Sequence, residues 1–264
     1  MERIRRYIRA GDVYQVNLAR RITRTRPSST AARVEALRRR YPAPFAARVG
    51  LGEGREILSN SPELFLRRRG DRVETHPIKG TFPAGPGARA RLARSAKDRA
   101  ELAMIVDLER NDLGRVCRTG SVRVETERRF LQLPTVVHSS AVVRGRLEPG
   151  TDTVDLLRAV FPGGSVTGAP KVRAMEIIEE LEPVRRGPYC GAIGWIAPGG
   201  DLELSLAIRV ALVDGGGLHV YAGGGIVADS EPAKEFRETE AKVRAFQDLL
   251  KAECPGRSGT GAGY

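Results

Sequence analysis

The stretch HPIKGT, residues 76–81, places a single lysine between a proline and a glycine. Pro77 fixes its own φ and pushes His76 toward extended backbone, while Gly80 permits a turn or the close approach of a ligand. A helix interior is unfavourable here, and the pattern predicts a stiff loop that presents Lys79 for chemistry. Taken alone, a solvated turn is the commoner interpretation of such a lysine, so the choice depends on the rest of the chain.

Composition is that of a globular protein. Of the 264 residues, 41% are hydrophobic and 29% are charged, and this length allows one large domain or two small ones. No apolar run is long enough to span a bilayer, and the arginine-rich start lacks the apolar region of a signal peptide. Three widely separated cysteines, Cys117, Cys190 and Cys254, indicate neither a disulfide framework nor a metal knuckle. We expect a cytoplasmic protein without membrane segments.

The charge balance indicates an anionic partner. The formal net charge is +12 and the isoelectric point is about 10.2, which suits either a nucleic acid or an acidic small molecule. Aromatic residues make up only 5% of the chain, and no nucleic-acid motif accompanies the scattered arginines. The arginine runs at 38–40 and 67–69 are typical of solvated element ends. We therefore expect no nucleic-acid binding.

Hydrophobic periodicity predicts a chain rich in strands. In residues 13–21, Tyr14, Val16 and Leu18 alternate with Gln15, Asn17 and Ala19, the period of two that a sheet with two different faces requires. Further strands are predicted over residues 45–51, 56–59, 64–68, 72–75, 122–124, 131–143, 192–196, 202–212 and 217–222, with a tight turn at 223–225.

Helical patterns are fewer and lie between groups of strands. A long amphipathic pattern covers residues 95–116, and a flexible Gly/Pro loop is predicted at 83–90. Other helices are predicted over residues 29–41, 153–160, 171–181 and 231–251. The predicted fold class is therefore α+β, a single domain over residues 1–253 with large antiparallel sheets and helices packed outside. A Gly/Ser-rich disordered tail is expected over residues 254–264.

Two helices carry acidic residues suited to a divalent metal. Glu235, Glu238 and Lys242 are spaced i, i+3 and i+7, so they share one helix face. Asp98 and Glu101 repeat the situation near the start of an earlier helix. Carboxylate oxygens are suitable ligands for Mg²⁺, which usually keeps some water and substrate ligands. The alternatives are a solvated face with an ion pair and first-turn acids that complement the helix dipole.

Other segments suggest anion binding. The sequence GGSVTGAP, residues 163–170, places backbone N–H groups at a helix start and so offers an anion site, although a plain glycine-rich connector is equally compatible. Its spacing is not that of a Walker A loop. Arg209 has apolar neighbours, so it is either a buried residue that needs an anionic partner or one on the solvent face of a strand. The histidines show no metal-ligand spacing, and Glu63 is a carboxylate on a predicted turn.

An ordered set of motifs resembles the chorismate-utilising enzymes, a family that includes large subunits of anthranilate and aminodeoxychorismate synthases as well as isochorismate and salicylate synthases. The set spans nearly the whole chain, so the resemblance is far more specific than any single motif. The motifs are AGDVYQVNL (10–18), SPELF (61–65), PIKGT (77–81), DRAELAMIVDLERNDLG (98–114), PGGSVTGAPK (162–171) and AGGGIVADSEPAKEFRETEAK (222–242).

Two positions separate the branches of this family. Members that resemble anthranilate synthase carry PIAGT, whereas PIKGT with Lys79 is similar to the aminodeoxychorismate synthase branch. The isochorismate and salicylate branches place a water-activating lysine at the position of Gln15, and glutamine cannot serve as that base. The resemblance thus implies component I of an aminodeoxychorismate synthase. Anthranilate synthase component I and a non-catalytic chorismate-binding subunit remain the alternatives.

The resemblance also implies roles for individual residues. Lys79 would form a covalent adduct with chorismate, and Glu63 would act as general acid and then base. Glu101 and Glu238 would hold Mg²⁺, with Glu235 close by. Ammonia from a glutamine amidotransferase subunit would give 4-amino-4-deoxychorismate for 4-aminobenzoate and folate synthesis. The implied substrate-binding residues are Asn17, Gly80, Thr81, His138, Thr167, Tyr189, Arg209, Gly223, Gly225 and Lys242.

One departure from the family pattern concerns length. Large subunits of this type carry a substantial segment before the AGDVYQVNL motif, and here only nine residues precede it. The resemblance is therefore to a short form that lacks most of that segment, which in the family supplies part of the outer sheet and, in some members, a tryptophan site.

Overall fold

Two antiparallel sheets organise the chain. The structure is a computed structural model that describes residues 1–25, 30–134 and 136–251. The strands are β1 (Gln15–Arg24), β2 (Phe45–Gly52), β3 (Arg55–Ser61), β4 (Leu64–Arg69), β5 (Arg72–His76), β6 (Ile78–Pro83), β7 (Arg123–Gln132), β8 (Val136–Arg146), β9 (Gly168–Ala169), β10 (Ala192–Ile196), β11 (Leu202–Leu206), β12 (Val210–Asp214) and β13 (Gly217–Ile226).

The strand order explains how distant segments meet. One sheet runs β2-β3-β12-β13-β1-β9, and the other runs β10-β11-β4-β5-β8-β6 with β7 also paired to β8. The helices are α1 (Glu2–Arg9), α2 (Thr30–Arg40), α3 (Ala88–Arg94), α4 (Ala96–Gly114), α5 (Thr153–Val160), α6 (Lys171–Leu181) and α7 (Pro232–Lys251), with a 3₁₀ turn at Gly164–Val166.

The main hydrophobic core contains residues from both sheets and from α4. Leu66, Val143 and Leu206 come from strands, and Leu102 comes from α4; each is at most 2% exposed. Full burial of such a side chain contributes roughly 1.5–3 kcal/mol, so this core is a major source of stability. Helix α4 packs against β6 and β8, while α7 packs against β13. The α+β class, with antiparallel sheets and helices, is confirmed.

The predicted loop around Lys79 is wrong, because residues 78–83 form strand β6. Both β5 and β6 pair with successive parts of β8, and Pro77 interrupts the extended chain between them. Proline is tolerated at such a break because no ladder hydrogen bond needs its missing N–H. The ladder partners of β6 lie about sixty residues away in sequence, where local turn patterns cannot reveal them. Lys79 is thus presented from a strand.

The predicted turn at 223–225 is also wrong, because these glycines lie inside β13. This strand is central, paired with β1 on one side and β12 on the other. A Cβ at Gly223 would lie 2.7 Å from the Leu18 carbonyl oxygen, and one at Gly225 would lie 2.2 Å from Gln15 Nε2. The glycines therefore allow close packing against β1, a use of glycine within strands that differs from turn formation.

Two further boundaries differ from the prediction. The single strand expected over residues 202–212 is divided, with β11 in one sheet and β12 in the other, and the intervening residues include Arg209. Part of the loop predicted at 83–90 begins helix α3. The helix predicted over 153–160 is confirmed as α5, which begins with a capping box between Asp152 and Asp155.

Two predictions about the chain as a whole are not tested by the described structure. The single domain over residues 1–253 stays a prediction, and the predicted tail at 254–264 lies outside the described residues. Among the described helices, none is both long enough and apolar enough to cross a membrane.

Candidate active site

Nearly all the predicted functional residues line a cavity of about 130 Å³ between the two sheets. Strands β1, β6, β8 and β13 and helices α4 and α7 all contribute to its lining. All the predicted site residues except Thr167 line it, namely Asn17, Glu63, Lys79, Gly80, Thr81, Glu101, His138, Tyr189, Arg209, Gly223, Gly225, Glu235, Glu238 and Lys242. These residues come from segments spread along the chain between Asn17 and Lys242, and the fold brings them to one cavity.

Thr167 lies behind this cavity. Its side chain is 3% exposed, and its hydroxyl donates to the Gly163 carbonyl oxygen at 3.0 Å. The backbone carbonyl of Thr167 accepts a hydrogen bond from the backbone N–H of Asn17 at 2.8 Å. In this arrangement Thr167 supports the glycine-rich turn and strand β1.

Lys79 presents its amine inside the cavity. Its Nζ donates to the backbone carbonyl of Ser165 at 2.9 Å. Burial lowers the pKa of this amine and the Lys242 ammonium lowers it further, against the opposing charges of Glu101 and Glu63. The lowered pKa increases the fraction of Lys79 in the neutral form, which is the form that acts as a nucleophile.

Glu63 is the buried carboxyl on the same side of the cavity. It is 3% exposed, and the Ser165 hydroxyl donates to its Oε1 at 2.6 Å. Burial raises the pKa of Glu63 to about 7, while the Ser165 hydrogen bond and the Lys79 charge limit the rise. Protonated and ionised forms are therefore both populated near neutral pH, as a group that alternates between acid and base requires.

Ser165 connects these two groups. Its carbonyl accepts from Lys79 and its hydroxyl donates to Glu63, so one residue of the 3₁₀ turn orients both side chains. Ser165 is itself 5% exposed. The sequence pattern of this turn indicated either an anion site or a plain glycine-rich connector, and no local pattern marked Ser165 as the link.

Gly80 lies between Lys79 and Thr81 at an irregularity in the pairing of β6 with β8. Its φ is +76°, in the left-handed region that favours glycine. A Cβ at this position would lie 2.9 Å from side-chain atoms of Asp98 on α4. Glycine is thus needed here both for its backbone conformation and for close contact with α4.

We expect Gly80→Ala to destabilise the fold by about 2–4 kcal/mol, because backbone strain and a steric clash coincide. Urea unfolding would measure the change. Gly87→Ala is a matched control, since Gly87 also has positive φ (+71°) but no atom within 4 Å of an added Cβ. The control should cost only about 1 kcal/mol. Equal losses in the two variants would show that the contact with Asp98 has no influence.

His138 is a neutral polar group in the site. Its Nδ1 and the Thr81 hydroxyl are 2.9 Å apart, and the side chain is 3% exposed. Burial lowers the pKa of His138 to about 3, and the nearby Arg209 charge adds to the effect. The ring is therefore uncharged near neutrality and suited to hydrogen bonding, with no proton to supply as an imidazolium.

Arg209 and Tyr189 form another part of the lining. Arg209 Nη1 donates to the Lys242 carbonyl oxygen at 2.5 Å, and no carboxylate of the described residues forms an ion pair with it. Tyr189 is 4% exposed and stacks on Tyr221 with ring centroids 5.5 Å apart. A guanidinium without a carboxylate partner can bind an anion bidentately, so this side of the cavity suits a substrate carboxylate.

The acidic side of the cavity combines α4 and α7. Glu235 is 7% exposed and accepts a hydrogen bond from the Ser230 hydroxyl at 2.7 Å. Burial raises the pKa of Glu101. Burial also favours protonation of Glu238, but the Lys242 ammonium at 2.6 Å outweighs it and the pKa of Glu238 is lowered.

These carboxylates were predicted to hold Mg²⁺, and the donor type fits, because all three residues offer the oxygen ligands that Mg²⁺ prefers. As placed, no three His, Cys, Asp or Glu side chains among the described residues are close enough together to hold a metal ion. A cation is nevertheless present, because Lys97 Nζ lies 3.7 Å from Glu101 and 3.8 Å from Glu235. The carboxylates already face a positive charge.

Several lining residues had not been assigned to the site. Lys97 immediately precedes the acidic residues Asp98 and Glu101 of α4, and Asp98 had been considered as a carboxylate suited to a divalent metal or as a first-turn acid. Their proximity to the other carboxylates depends on the packing of α4 against β6, which no helix periodicity reveals. The unassigned lining residues are Pro62, Ile78, Lys97, Asp98, Ser165, Val166 and Ile208.

Comparison with known proteins agrees with this geometry. Residues 1–248 match the family described as chorismate binding enzyme. The chain is 50% identical over 255 residues to aminodeoxychorismate synthase component 1 of Klebsiella aerogenes, covering 94% of this chain and 56% of the relative. It is 47% identical to anthranilate synthase component 1 of Streptomyces coelicolor, covering 94% of this chain and 50% of the relative.

A solved structure gives the same result at the level of the fold. Anthranilate synthase component I from Streptococcus pneumoniae TIGR4 superposes with a TM-score of 0.84 at 36% identity, covering 92% of this chain and 55% of that one. The chain therefore spans about half the length of the relatives it matches. With its match over residues 1–248 and with Lys79, Glu63 and Arg209 lining one cavity, the chain belongs to the family of chorismate binding enzymes.

Proposed function

We propose that this protein provides the catalytic site of an aminodeoxychorismate synthase, converting chorismate and ammonia to 4-amino-4-deoxychorismate and water. The observation that carries the proposal is the connected pair of Lys79 and Glu63, both held by Ser165 inside the cavity. The relative from Klebsiella aerogenes supports this branch, as does the PIKGT motif. An amine nucleophile and a carboxyl near neutrality are the two groups that the reaction requires.

The first half of the reaction forms a covalent adduct. The neutral Lys79 amine adds to C2 of chorismate, the two ring double bonds shift, and the C4–O bond breaks. The protonated Glu63 carboxyl donates its proton to the departing hydroxyl, which leaves as water. Since burial lowers the pKa of Lys79 and raises that of Glu63, each group favours the protonation state that this step needs.

The second half reverses the roles. Ammonia adds at C4, the two double bonds shift back, and the C2–N bond to Lys79 breaks, so the lysine amine is restored. The ionised Glu63 then takes a proton from the new C4 ammonium. Glu63 returns to its protonated form, and the atoms balance as chorismate plus ammonia giving aminodeoxychorismate plus water.

The remaining lining residues are proposed to bind the substrate's two carboxylates. Arg209 and Tyr189 would take the enolpyruvyl carboxylate. Lys242 and the backbone at Gly225 would lie at the ring carboxylate, with Thr167 supporting this wall from behind. Asn17, Gly80, Thr81, His138 and Gly223 would position the ring. Mg²⁺, held by Glu101 and Glu238 with Glu235 close by, would supply positive charge to the ring carboxylate.

The ammonia source is proposed to be a glutamine amidotransferase subunit. The relatives named above are each component 1 of a synthase, a naming that supports a second component. The product would lead to 4-aminobenzoate and folate, and we place the reaction in the cytoplasm.

Anthranilate synthesis is the second candidate, favoured by the 47% identity to an anthranilate synthase component 1. Incubation of the protein with chorismate, ammonium and Mg²⁺ separates the candidates, because anthranilate fluoresces and aminodeoxychorismate needs a downstream lyase to become 4-aminobenzoate. We expect aminodeoxychorismate by chromatography. Anthranilate as the main product would refute the branch assignment, and no turnover would favour a non-catalytic chorismate-binding subunit.

Removing the Ser165 hydroxyl is expected to shift the pH dependence of the reaction. In Ser165→Ala the carboxylate form of Glu63 loses a hydrogen bond that lowers its pKa. A hydrogen bond to a charged group contributes about 1.5–3 kcal/mol, so the Glu63 limb of the kcat/KM profile should move upward by about one to two pH units. Initial rates between about pH 5.5 and 9 would measure this shift.

Ser205→Ala is the matched control for this experiment. Ser205 is buried like Ser165, but its hydroxyl donates to the Ile193 carbonyl oxygen at 2.9 Å, between strands β11 and β10. It should lose some stability and keep the wild-type profile. An unchanged profile in Ser165→Ala would contradict the role of Ser165 in setting the protonation of Glu63.

A further inference from the structure

Lys97 occupies an unusual position at the start of α4. It lies in the first turn of this helix, where the positive end of the helix dipole disfavours a cation. Its ammonium is nevertheless directed into the acidic side of the cavity, 3.7 Å from Glu101 and 3.8 Å from Glu235. The pair with Glu101 is an ordinary i,i+4 contact within α4, whereas the contact with Glu235 joins α4 to α7 and is not explained by the local helix.

We propose that Lys97 is an internal cation that takes the place of the divalent metal in the metal-free protein and is displaced when the metal binds. The inference rests on the proposed function, which assigns Mg²⁺ to Glu101 and Glu238 with Glu235 close by. It adds that metal affinity is set partly by competition with a side chain of the same chain.

The electrostatics of the cavity support a resident cation. Asp98, Glu101, Glu235 and Glu238 all line it, and carboxylates gathered in a partly buried site repel one another unless a positive charge lies among them. Lys97 lies between the acids of two different helices, so it offsets repulsion between α4 and α7. Without metal, this ammonium adds to the positive charge that Lys242 already places beside Glu238.

The geometry also indicates that Lys97 can leave at little cost. Its separations from Glu101 and Glu235 are too long for hydrogen bonds, and its side chain is 55% exposed. Loose, exposed ion pairs contribute little to stability. A Mg²⁺ ion at about 2.1 Å from the same carboxylate oxygens would strongly repel an ammonium held at its present distance, so the flexible side chain would move into solvent.

The test measures Mg²⁺ binding to the full, substrate-free chain by isothermal titration calorimetry. Lys97→Met keeps much of the side-chain length and removes the charge, so we expect Mg²⁺ to bind about three- to tenfold more tightly. In chelator, the same variant should unfold at a lower temperature than the wild type. Its thermal stabilisation by Mg²⁺ should be correspondingly larger.

Two further variants make the outcome specific. Lys97→Arg keeps the charge and should not tighten binding. Lys234→Met removes an exposed lysine that pairs with Glu231 at 2.6 Å on α7, so it controls for a general change in net charge and should leave Mg²⁺ affinity unchanged. If Lys97→Met fails to fold, Lys97→Gln, which also removes the charge, takes its place in the same titration.

Unchanged or weaker Mg²⁺ binding by Lys97→Met would overturn the inference, because Lys97 would then support the carboxylates without competing for them. Equal tightening in Lys234→Met would overturn it as well. Absence of Mg²⁺ binding in every variant, with chorismate still aminated, would refute the metal assignment and this inference together while leaving the proposed reaction standing. Tighter Mg²⁺ binding by Lys97→Met, together with a wild-type protein that does not aminate chorismate, would support this inference and refute the proposed reaction.

Discussion

Lys79→Ala is expected to lower aminodeoxychorismate formation by at least about 10³-fold, because it removes the nucleophile that forms the covalent adduct. The loss should appear mainly in kcat, since substrate binding depends on Arg209 and other lining residues. Chromatographic analysis of products from chorismate, ammonium and Mg²⁺ would measure it. A shift of the residual product toward anthranilate would further support the assignment of the branch to this position.

The control for this experiment is Lys234→Ala, which removes an exposed lysine outside the cavity and should keep wild-type activity. A Lys79→Ala protein that forms aminodeoxychorismate at the wild-type rate would show that the covalent route is wrong. Circular dichroism on both variants would establish that they remain folded. A mass increase on Lys79 after incubation with chorismate without ammonium would be direct support for the adduct.

Glu63→Gln is expected to lower the rate by about 10²–10⁴-fold, because glutamine can neither protonate the departing hydroxyl nor accept a proton from the added amine. The replacement keeps the size of the side chain, so substrate binding should change far less than turnover. Steady-state kinetics with chorismate and ammonium would measure both. A variant that retains more than about a tenth of the wild-type rate would exclude Glu63 as the acid and base.

The same substitution should stabilise the protein at high pH. Burial raises the pKa of Glu63 from its ordinary 4.5 to about 7, so the folded chain holds a proton that the unfolded chain releases. The carboxyl therefore costs stability as the pH rises above 4.5, and this cost reaches about 3 kcal/mol above pH 7. Urea unfolding at about pH 5 and pH 8 should show Glu63→Gln more stable only at the higher pH.

Glu109→Gln separates the effect on stability from the effect on catalysis. Glu109 is 7% exposed and outside the cavity lining, and it accepts a hydrogen bond from the Thr75 hydroxyl at 2.6 Å. Burial raises its pKa to about 8, so its replacement should also stabilise the fold at high pH while activity is retained. Equal losses of activity in the two variants would show that buried charge, and not acid–base chemistry, controls the rate.

Much of the candidate site could be predicted because this chain carries the residue types of the family motifs. Glu235, Glu238 and Lys242 were placed on one helix face from their spacing alone, and the structure brings them to the same cavity. Helix periodicity depends only on neighbouring residues, which explains why this part of the prediction succeeded. Ser165 and Lys97 were missed because their importance depends on contacts between segments far apart in sequence.

The chemical identity of the site residues and the local helices follow from the sequence by itself. The proposed family branch rests on Lys79 in PIKGT, and the capping residues and apolar pattern of α5 specify its boundaries, because both signals are contained within a few neighbouring residues. Only the tertiary structure decided that Lys79 lies in a strand and that the three glycines at 223–225 lie inside β13. The same is true of Arg209, which lies where the chain passes from one sheet to the other. Strand pairing joins residues distant in the chain, and burial then sets the protonation of Lys79 and Glu63.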